Sequence, residues 1–473
     1  MTPFSYEKYL KSEISLLPDR SKKWSIRSAA VYPNDYPTAM SNLGFLSLFQ
    51  IMHRFPQLYP QRFFGTRPVA LETNEKLASF PLIAVSISYE PDILNLLKML
   101  NKSGIPIYAP QREKRLIIAG GSAITINPFP ISSIADVIFL GEGISFITQI
   151  IEILANNPPG IVDKNDLLCE LDKIPGVWIP QLNHEPPPRA ISEDDIPPSS
   201  SIVSSLASFP NMALVQIQRG CPFRCPFCAT PVIYNPFVNY SLNSIIENIS
   251  HWNKLVSRIG LVGSAIADFH KLAELVEILQ SKKFEIFTSS IRLDRLTPEL
   301  IDILKITNRR TLTFAPETLS DMLCDKIGKK ITGEEIVNTA GQFPVDEIKL
   351  YYIVGLPGEE ISDVKMIAEQ LKYIANKLTD KRIIASVNPF IPKRGTIWGE
   401  KPMMGHRQLM ERFYIINNSV ANLKNVHIQV NYRRKTRLQW ALSTGGKEIA
   451  EILAVEQNVS AIVRKLKQKG WDI

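Results

Sequence analysis

The second half of the chain alternates regularly between short β-branched, apolar runs and stretches with helical periodicity. Alternation of this kind favours a parallel sheet covered by helices. Six consecutive strand–helix units predict a partial, open (β/α)6 barrel of the TIM type, with another doubly wound sheet as the alternative. In such barrels the chemistry lies at the carboxyl ends of the strands. The predicted strands are Ala213–Gln218, Arg258–Val262, Phe284–Thr288, Thr311–Phe314, Glu347–Val354 and Ile383–Val387.

A second alternation in the N-terminal third predicts a Rossmann-like parallel sheet, so the whole chain belongs to the α/β class. Its predicted strands are Leu82–Ile87, Ile105–Tyr108, Leu116–Ala119 and Val137–Leu140. Proline-rich stretches then break the pattern and predict an interdomain linker. We therefore divide the chain into an N-terminal domain (1–155), a linker (156–209), a barrel (210–402) and a small, mostly helical C-terminal domain (403–473).

Three of the five cysteines, Cys221, Cys225 and Cys228, lie in one short segment directly after the first barrel strand. Three thiolates in one loop can bind three irons of a cube-shaped cluster and leave the fourth iron open. Iron–sulfur clusters ordinarily take four thiolates, so this loop predicts a coordination site kept for another ligand. The alternative is a structural zinc site, which needs four closed ligands, and Cys169 and Cys324 are distant in sequence.

The spacing of these cysteines, with an aromatic residue at Phe227, resembles the signature of the radical SAM enzymes. The resemblance implies a [4Fe–4S] cluster bound by the three cysteines, with S-adenosylmethionine (SAM) on the open iron. It also implies SAM-binding residues after the later strands. We assign these to Gly263 and Ser264, Ser289 and Arg292, Glu317, and Gly355 and Pro357. The glutamate that the family often carries after the second strand is missing beside Gly263, so backbone or Ser264 must replace that contact.

The N-terminal domain resembles the cobalamin-binding domain that is fused to one class of radical SAM proteins. The resemblance implies contacts to cobalamin from Ser86, Tyr89, Glu90, Gly120, Gly121, Gly141 and Glu142. The Asp-x-His-x-x-Gly motif that supplies a histidine ligand to cobalt is absent. Two interpretations therefore stay open: cobalamin bound without that ligand, or a domain that keeps its fold and has lost the cofactor.

Composition limits the partners and the compartment. The cysteines are odd in number and clustered, which favours a reducing cytoplasm over a disulfide framework. No secretory signal and no apolar stretch long enough to span a membrane is visible. The net charge of +8 is mild for 473 residues, and no basic block is interleaved with aromatic residues. Nucleic acid is therefore not expected as a partner.

The function predicted from these features is cleavage of SAM followed by methyl transfer to an unactivated carbon of an unidentified small molecule or peptide. The resemblance also implies a flavodoxin-like or ferredoxin-like electron donor. One alternative is radical chemistry without cobalamin, such as rearrangement, oxidation or a methylthiotransferase-like reaction. The methylthiotransferases need three further N-terminal cysteines, and only Cys169 precedes the loop. A second alternative is a non-catalytic sensor of SAM or cobalamin.

Overall fold

The structure is a computed structural model that describes residues 6–18, 26–288, 292–306, 311–456 and 458–472. The strands are β1 (Glu13–Ser15), β2 (Ile26–Tyr32), β3 (Leu58–Phe64), β4 (Leu82–Ser86), β5 (Leu116–Gly120), β6 (Val137–Phe139), β7 (Val177–Trp178), β8 (Ile202–Ser204), β9 (Met212–Gln216), β10 (Gln218–Arg219), β11 (Val238–Asn239), β12 (Arg258–Val262), β13 (Glu285–Thr288), β14 (Thr311–Glu317), β15 (Glu347–Val354), β16 (Arg382–Pro389) and β17 (Val426–Val430).

The α-helices alternate with these strands and include several single turns. They are α1 (Glu7–Leu10), α2 (Tyr36–Ala39), α3 (Leu43–Arg54), α4 (Asp92–Lys102), α5 (Ser122–Ile126), α6 (Ile144–Asn156), α7 (Lys164–Leu171), α8 (Thr230–Ile233), α9 (Leu242–Ser250), α10 (Leu272–Ser281), α11 (Pro298–Ile306), α12 (Asp321–Ile327), α13 (Gly333–Ala340), α14 (Ile361–Lys377), α15 (His406–Ser419), α16 (Arg434–Thr444), α17 (Lys447–Val455) and α18 (Val459–Gln468). Among the described helices, none combines the length and the apolar character that crossing a bilayer requires.

The N-terminal sheet has the strand order β3-β2-β4-β5-β6-β7, in which the first five strands are parallel and β7 is antiparallel. This is a doubly wound order whose direction reverses between β2 and β4. Ligands of such sheets bind in the crevice beyond the carboxyl ends of the strands at that reversal. The strands are almost fully buried because helices cover both faces of the sheet. The predicted Rossmann-like sheet is confirmed.

The two faces of this sheet are covered from different parts of the chain. Helices α3, α6 and α7 pack on one face. Helix α4 packs on the other face together with α16, α17 and α18, which contribute Leu438, Leu442, Ile449, Leu453 and Ile462 to that core. The C-terminal helices, predicted as a small separate domain, therefore bury their apolar stripes against the N-terminal sheet.

The segment predicted as a linker also contributes to the N-terminal sheet. It forms α7 and the antiparallel strand β7, while β8 pairs with β1. Lys164 at the start of α7 makes a 2.7 Å ion pair with the buried carboxylate of Asp136, which precedes β6. Arg112 pairs with the same carboxylate at 2.8 Å. These contacts attach α7 firmly to the sheet.

The second half of the chain forms two runs of parallel strands, β9-β12-β13 and β14-β15-β16-β17. Every second residue of β14 and β15 is buried against the surrounding helices, in one core shared by both runs. The six predicted strands are confirmed, and β17 adds a further parallel strand beside β16. The α/β fold class is confirmed for both halves of the chain.

One predicted strand is wrong. Residues 105–108 form no strand; a short 3-10 turn at Ala109–Gln111 follows them instead. Pro106 lies within this run and Pro110 follows it two residues later, and a proline lacks the N–H that a central strand must donate. The apolar residues Ile105 and Ile107 are still buried, so their hydrophobicity reflects packing in the core and not strand pairing.

Candidate functional site

The cysteine loop begins at Gly220, directly after β9 and the short strand β10. Gly220 has a φ of 78°, and a Cβ at this position would collide with the carbonyl oxygen of Tyr234. On its other side the loop is held by the N–H of Trp398, which donates to the carbonyl of Pro226 at 3.0 Å. Phe227 packs against the small apolar cluster that contains Trp398. The loop is therefore fixed at both ends by elements of the barrel.

The three thiols of the loop are partly exposed and lie beside cationic side chains. Burial raises the pKa of Cys221 and Cys225 above the ordinary value, and Arg292 acts in the opposite direction on both thiols. The guanidinium carbon of Arg292 lies 3.8 Å from the centroid of the Phe223 ring, inside the cysteine loop. This stacking places a fixed positive charge next to the thiols.

The three cysteine thiols suit an iron–sulfur cluster better than a single metal ion. Among the residues that the structure describes, no three histidine, cysteine or carboxylate side chains gather closely enough to hold one metal ion. The thiolates of a cubane cluster each bind a different iron, so they stand further apart than the ligands of zinc. The other two cysteines lie elsewhere: Cys169 is exposed on α7, and Cys324 is buried on α12. Three thiols and no fourth fit a cluster with one open iron.

Glu317 lies at the carboxyl end of β14, where the register of the strand shifts. Its φ of 65° is unusual for a residue with a side chain, and such conformations concentrate at functional sites. Burial raises the pKa of Glu317, while Lys329, at 3.3 Å, and Arg292 act to lower it. A buried carboxylate with two nearby cations therefore stands next to the cysteine loop.

Gly355 follows β15 and has a φ of 79°. Its N–H donates to the carboxylate of Glu359 at 2.8 Å, and Arg412 donates to the same oxygen at 2.6 Å. The turn is thus held by a buried ion pair that reaches it from α15. Pro357 is partly buried in the same turn. The sequence analysis did not identify Lys329, Glu359 or Arg412. Lys329 and Arg412 lie on elements other than the strand ends that they support, whereas Glu359 follows Gly355 by four residues in the same turn.

A cavity of about 550 Å³ lies between the N-terminal sheet and the start of the cysteine loop. Seven of the residues assigned from the sequence line it: Ser86, Gly120, Gly121, Gly141 and Glu142 from the N-terminal domain, and Gly263 and Ser264 from the barrel. Gly220, which precedes Cys221, also lines it. The structure therefore brings the two predicted cofactor regions to one space.

The two ends of this cavity differ in character. The end between the sheet and helices α3 and α6 is apolar, with Ile118, Phe139, Ile147 and Ile150 in its wall. The end beside the cysteine loop is polar and is lined by Gln216, Gln218, Arg219, Glu142 and Tyr234. A mostly apolar wall with a few polar groups is typical of small-molecule and cofactor sites of this size.

An ion pair joins the N-terminal domain to the cysteine loop at the polar end. The Nε atom of Arg219 lies 2.6 Å from Glu142, and its Nη2 donates to the carbonyl of Ser192 at 2.6 Å. Burial raises the pKa of Glu142 to about 7, and Arg219 acts to lower it. Arg219 is a residue that the sequence analysis missed, although its position two residues before Cys221 was a usable signal.

Two residues assigned to cobalamin lie outside the cavity lining. Glu90 is buried in an ion pair with Lys393 and accepts hydrogen bonds from Ser443 at 2.9 Å and Gln439 at 3.0 Å. Burial acts to raise the pKa of Glu90, but Lys393 and the hydrogen bonds outweigh it, so the pKa is lowered. Tyr89 is exposed beside α16. Ser289, assigned to SAM, falls outside the residues that the structure describes.

Comparison with known protein families decides the family. The description "Radical SAM proteins, N-terminal" matches residues 45–180, and "Radical SAM superfamily" matches residues 215–371, which include the cysteine loop. The chain belongs to the radical SAM superfamily. The matched ranges include the strand-end residues from Gly263 to Gly355 and the N-terminal residues from Ser86 to Glu142.

Three similar proteins place this radical SAM protein more closely. An uncharacterized protein of Methanocaldococcus jannaschii is 27% identical over 452 residues, which cover 93% of each chain. An uncharacterized methyltransferase of Pyrococcus horikoshii is 24% identical and covers 54% of this chain and 57% of its own. The radical SAM methyltransferase TsrM of Kitasatospora setae, solved with cobalamin and a [4Fe–4S] cluster, has a TM-score of 0.60 at 12% identity. That match covers 91% of this chain and 99% of TsrM. The radical SAM protein therefore shares the fold of TsrM over nearly its whole length.

Proposed function

We propose that this protein cleaves SAM reductively at a [4Fe–4S] cluster and transfers a methyl group to an unactivated carbon with the help of cobalamin. When bound, the cluster supplies an electron, SAM supplies the methyl group and the radical, and cobalamin carries the methyl group. The observation that carries this proposal is the position of the cavity. Its walls are the strand ends of the N-terminal sheet on one side and Gly220, next to Cys221, on the other.

The cysteine thiolates and the charged residues around them fit the roles that the cluster and SAM require. Cys221, Cys225 and Cys228 bind three irons, and Arg292 balances the negative charge of the thiolates. Arg292 also suits the carboxylate of SAM, because a guanidinium presents a planar fork. Glu317 suits the ammonium group of SAM, and its ion pair with Lys329 opposes the rise in the pKa of Glu317 that burial causes.

The backbone and the cavity supply the remaining contacts. Gly355, held by Glu359 and Arg412, offers a backbone surface for the adenine ring. Gly263 and Ser264 reach the cavity from β12 and can contact SAM through backbone groups. The apolar end of the cavity suits the aromatic base of cobalamin's nucleotide tail.

Among the described residues that line the cavity, none is a histidine, a cysteine or a methionine. We infer that cobalamin is bound without a nitrogen or sulfur ligand from this chain. Electron paramagnetic resonance of bound Co(II) tests this point, since a nitrogen ligand adds a nitrogen splitting to the cobalt hyperfine lines. Labelling the protein with nitrogen-15 should leave any such splitting unchanged, and a change in it would show a nitrogen ligand from this chain.

The test of the proposed function is SAM cleavage by protein purified and reconstituted without oxygen. We expect reduced wild type to form 5′-deoxyadenosine or S-adenosylhomocysteine, and Cys225→Ala to form neither. Cys324→Ala is the matched control, since Cys324 is the buried cysteine on α12 outside the loop. Equal turnover by the Cys225→Ala variant, or no turnover by correctly loaded wild type, would contradict the proposal.

A further inference from the structure

The inner face of the second strand run is polar. Along β14 and β15, alternate residues face the helices and are buried, while the intervening residues stay partly exposed on the inner face. These inner residues include Thr313, Lys349 and Tyr351. The interior of a closed (β/α)8 barrel is filled mainly by bulky branched apolar side chains. The partly exposed polar residues on the inner face of β14 and β15 are instead accessible to a polar ligand, and we call this face the groove.

The strand register arranges these inner residues in rows. Thr313, Lys349, Ile384 and His427 pair successively across β14 to β17 and form one row. Tyr351, Ser386 and Gln429 form the next row towards the carboxyl ends. His427 and Gln429 are exposed on the edge strand. Apart from the buried Ile384, the rows combine hydroxyl, amide, imidazole and ammonium groups, which donate hydrogen bonds.

One cation in this groove lacks an anion. In the row nearest the amino ends, the charges are paired: Arg382 with Glu347 at 3.5 Å, and Arg258 with Glu285 at 3.3 Å. Lys349 is different. Its Nζ lies 5.1 Å from the centroid of the Tyr351 ring, and no carboxylate among the described residues is within ion-pair distance of it. A partly buried ammonium without a counter-charge favours an anionic ligand.

We propose that this inner face binds an anionic group, phosphate or carboxylate, of the methyl acceptor, with Lys349 as the charge partner. Tyr351, His427 and Gln429 donate neutral hydrogen bonds to the same group or its neighbours. This inference rests on the proposed function, because it names the substrate class of that site. Lys349 lies three residues before Tyr352, which pairs with Glu317. At the rise of a β-strand the anion therefore sits about 10 Å from the SAM end of the barrel.

The experiment measures anion binding by isothermal titration calorimetry, with inorganic pyrophosphate and citrate as separate probes. We expect wild type to bind at least one probe saturably, and the tighter probe to identify phosphate or carboxylate chemistry. Lys349→Gln should weaken that binding roughly ten-fold or more, because an ammonium–anion hydrogen bond is lost. Lys349→Arg should retain most of it. Lys365→Gln, on the outer helix α14, is the matched control and should bind as wild type does.

Several results would overturn the proposal. Saturable binding that is unchanged in Lys349→Gln would place the anion elsewhere, and no saturable binding of either probe would remove the site. Circular dichroism checks that Lys349→Gln folds; if it does not, Tyr351→Phe and His427→Gln must weaken binding instead. Titration of protein without its cluster separates the two proposals. Anion binding there, with no SAM cleavage by loaded protein, supports the groove and rejects the proposed chemistry.

Discussion

At the scale of single residues, charge placement around the cysteine loop dominates the site. Arg292 stacks on Phe223 and acts on two of the three thiols and on Glu317. A cation so placed stabilises thiolates, which are the form that binds iron. The same residue thus connects the cluster loop with the strand end assigned to SAM.

Replacing Arg292 by methionine should raise the pKa of Cys221 and Cys225 further, since the lowering by Arg292 is lost while burial still raises the pKa of both thiols. In protein without a cluster, the thiolate fraction near pH 8 falls, and alkylation of these cysteines by iodoacetamide slows. Phe223→Leu should have a smaller effect in the same direction, because it removes the ring that orients the guanidinium. Arg258→Met, at the far end of β12, is the control. Equal alkylation rates in all four proteins would show that Arg292 does not act on the thiols.

Glu142 predicts a pH dependence of stability. Its pKa is raised to about 7 in the folded chain, so between its unfolded value and pH 7 the folded state binds the extra proton. The stability that this proton contributes is present at low pH and is lost as the pH rises through 7. Glu142→Gln does not titrate. The unfolding free energy of wild type relative to Glu142→Gln should therefore decrease from pH 5 to pH 8. A constant difference over that range would contradict the raised pKa.

At the scale of elements, the turn after β15 depends on one glycine. Gly355 has a positive φ, and a Cβ there would lie 2.9 Å from Cδ2 of Leu409 on α15. At Gly355, an added Cβ would therefore cause both backbone strain and a close contact. Gly104 has a similar φ, but nothing lies within 4 Å of a Cβ added there. Alanine substitutions at these two glycines therefore separate the free-energy cost of the left-handed backbone from the cost of overpacking.

We expect Gly355→Ala to lower the unfolding free energy by about 2–4 kcal/mol, from left-handed backbone strain and overpacking together. Gly104→Ala should cost about 1–2 kcal/mol, since only the backbone term applies. Urea denaturation with both variants measures the difference. Equal losses of unfolding free energy in the two variants would show that Leu409 and α15 shift freely to accept the added methyl group, and that α15 does not support the turn.

The elements that periodicity defines could be predicted from the sequence, and those that depend on distant contacts could not. The strands β12 to β16 follow from apolar alternation and were located closely. Strand β7 is two residues long and lies among prolines, so no period marks it. Helices α16 to α18 are visibly amphipathic, but the sequence does not say which core their apolar faces meet. The same holds for the site. Residues at strand ends can be predicted from the strand pattern, whereas Lys329 and Arg412 contact the site from elements that are distant in sequence.

At the scale of the whole molecule, the two ends of the chain build one core. Leu442 and Leu453, on α16 and α17, are fully buried with Ile83 of the N-terminal sheet and Leu97 of α4. The loop after β16 is attached to the same helices, because Lys393 pairs with Glu90 and Arg394 donates to the carbonyl of Thr444. The barrel mouth and the N-terminal sheet are therefore held in one arrangement by the C-terminal helices.

Truncating one of these leucines should destabilise the N-terminal domain. Leu442→Ala is expected to lower the unfolding free energy by about 2–5 kcal/mol, the usual cost of a cavity in a closed core. Leu255→Ala, at a half-exposed position, should cost less than about 1 kcal/mol. A small loss for Leu442→Ala in chemical denaturation would mean that α16 is only loosely attached.

We propose that the three cysteines hold an iron–sulfur cluster beside a cavity that binds cobalamin. Metal analysis of protein purified without oxygen, from cells supplied with iron and cobalamin, tests it most directly. We expect about four irons and roughly one cobalt per chain after desalting, with the iron lost in a variant that lacks Cys221, Cys225 and Cys228. Iron without cobalt would leave a radical SAM enzyme whose N-terminal domain binds no cobalamin. Zinc in place of iron would contradict the account.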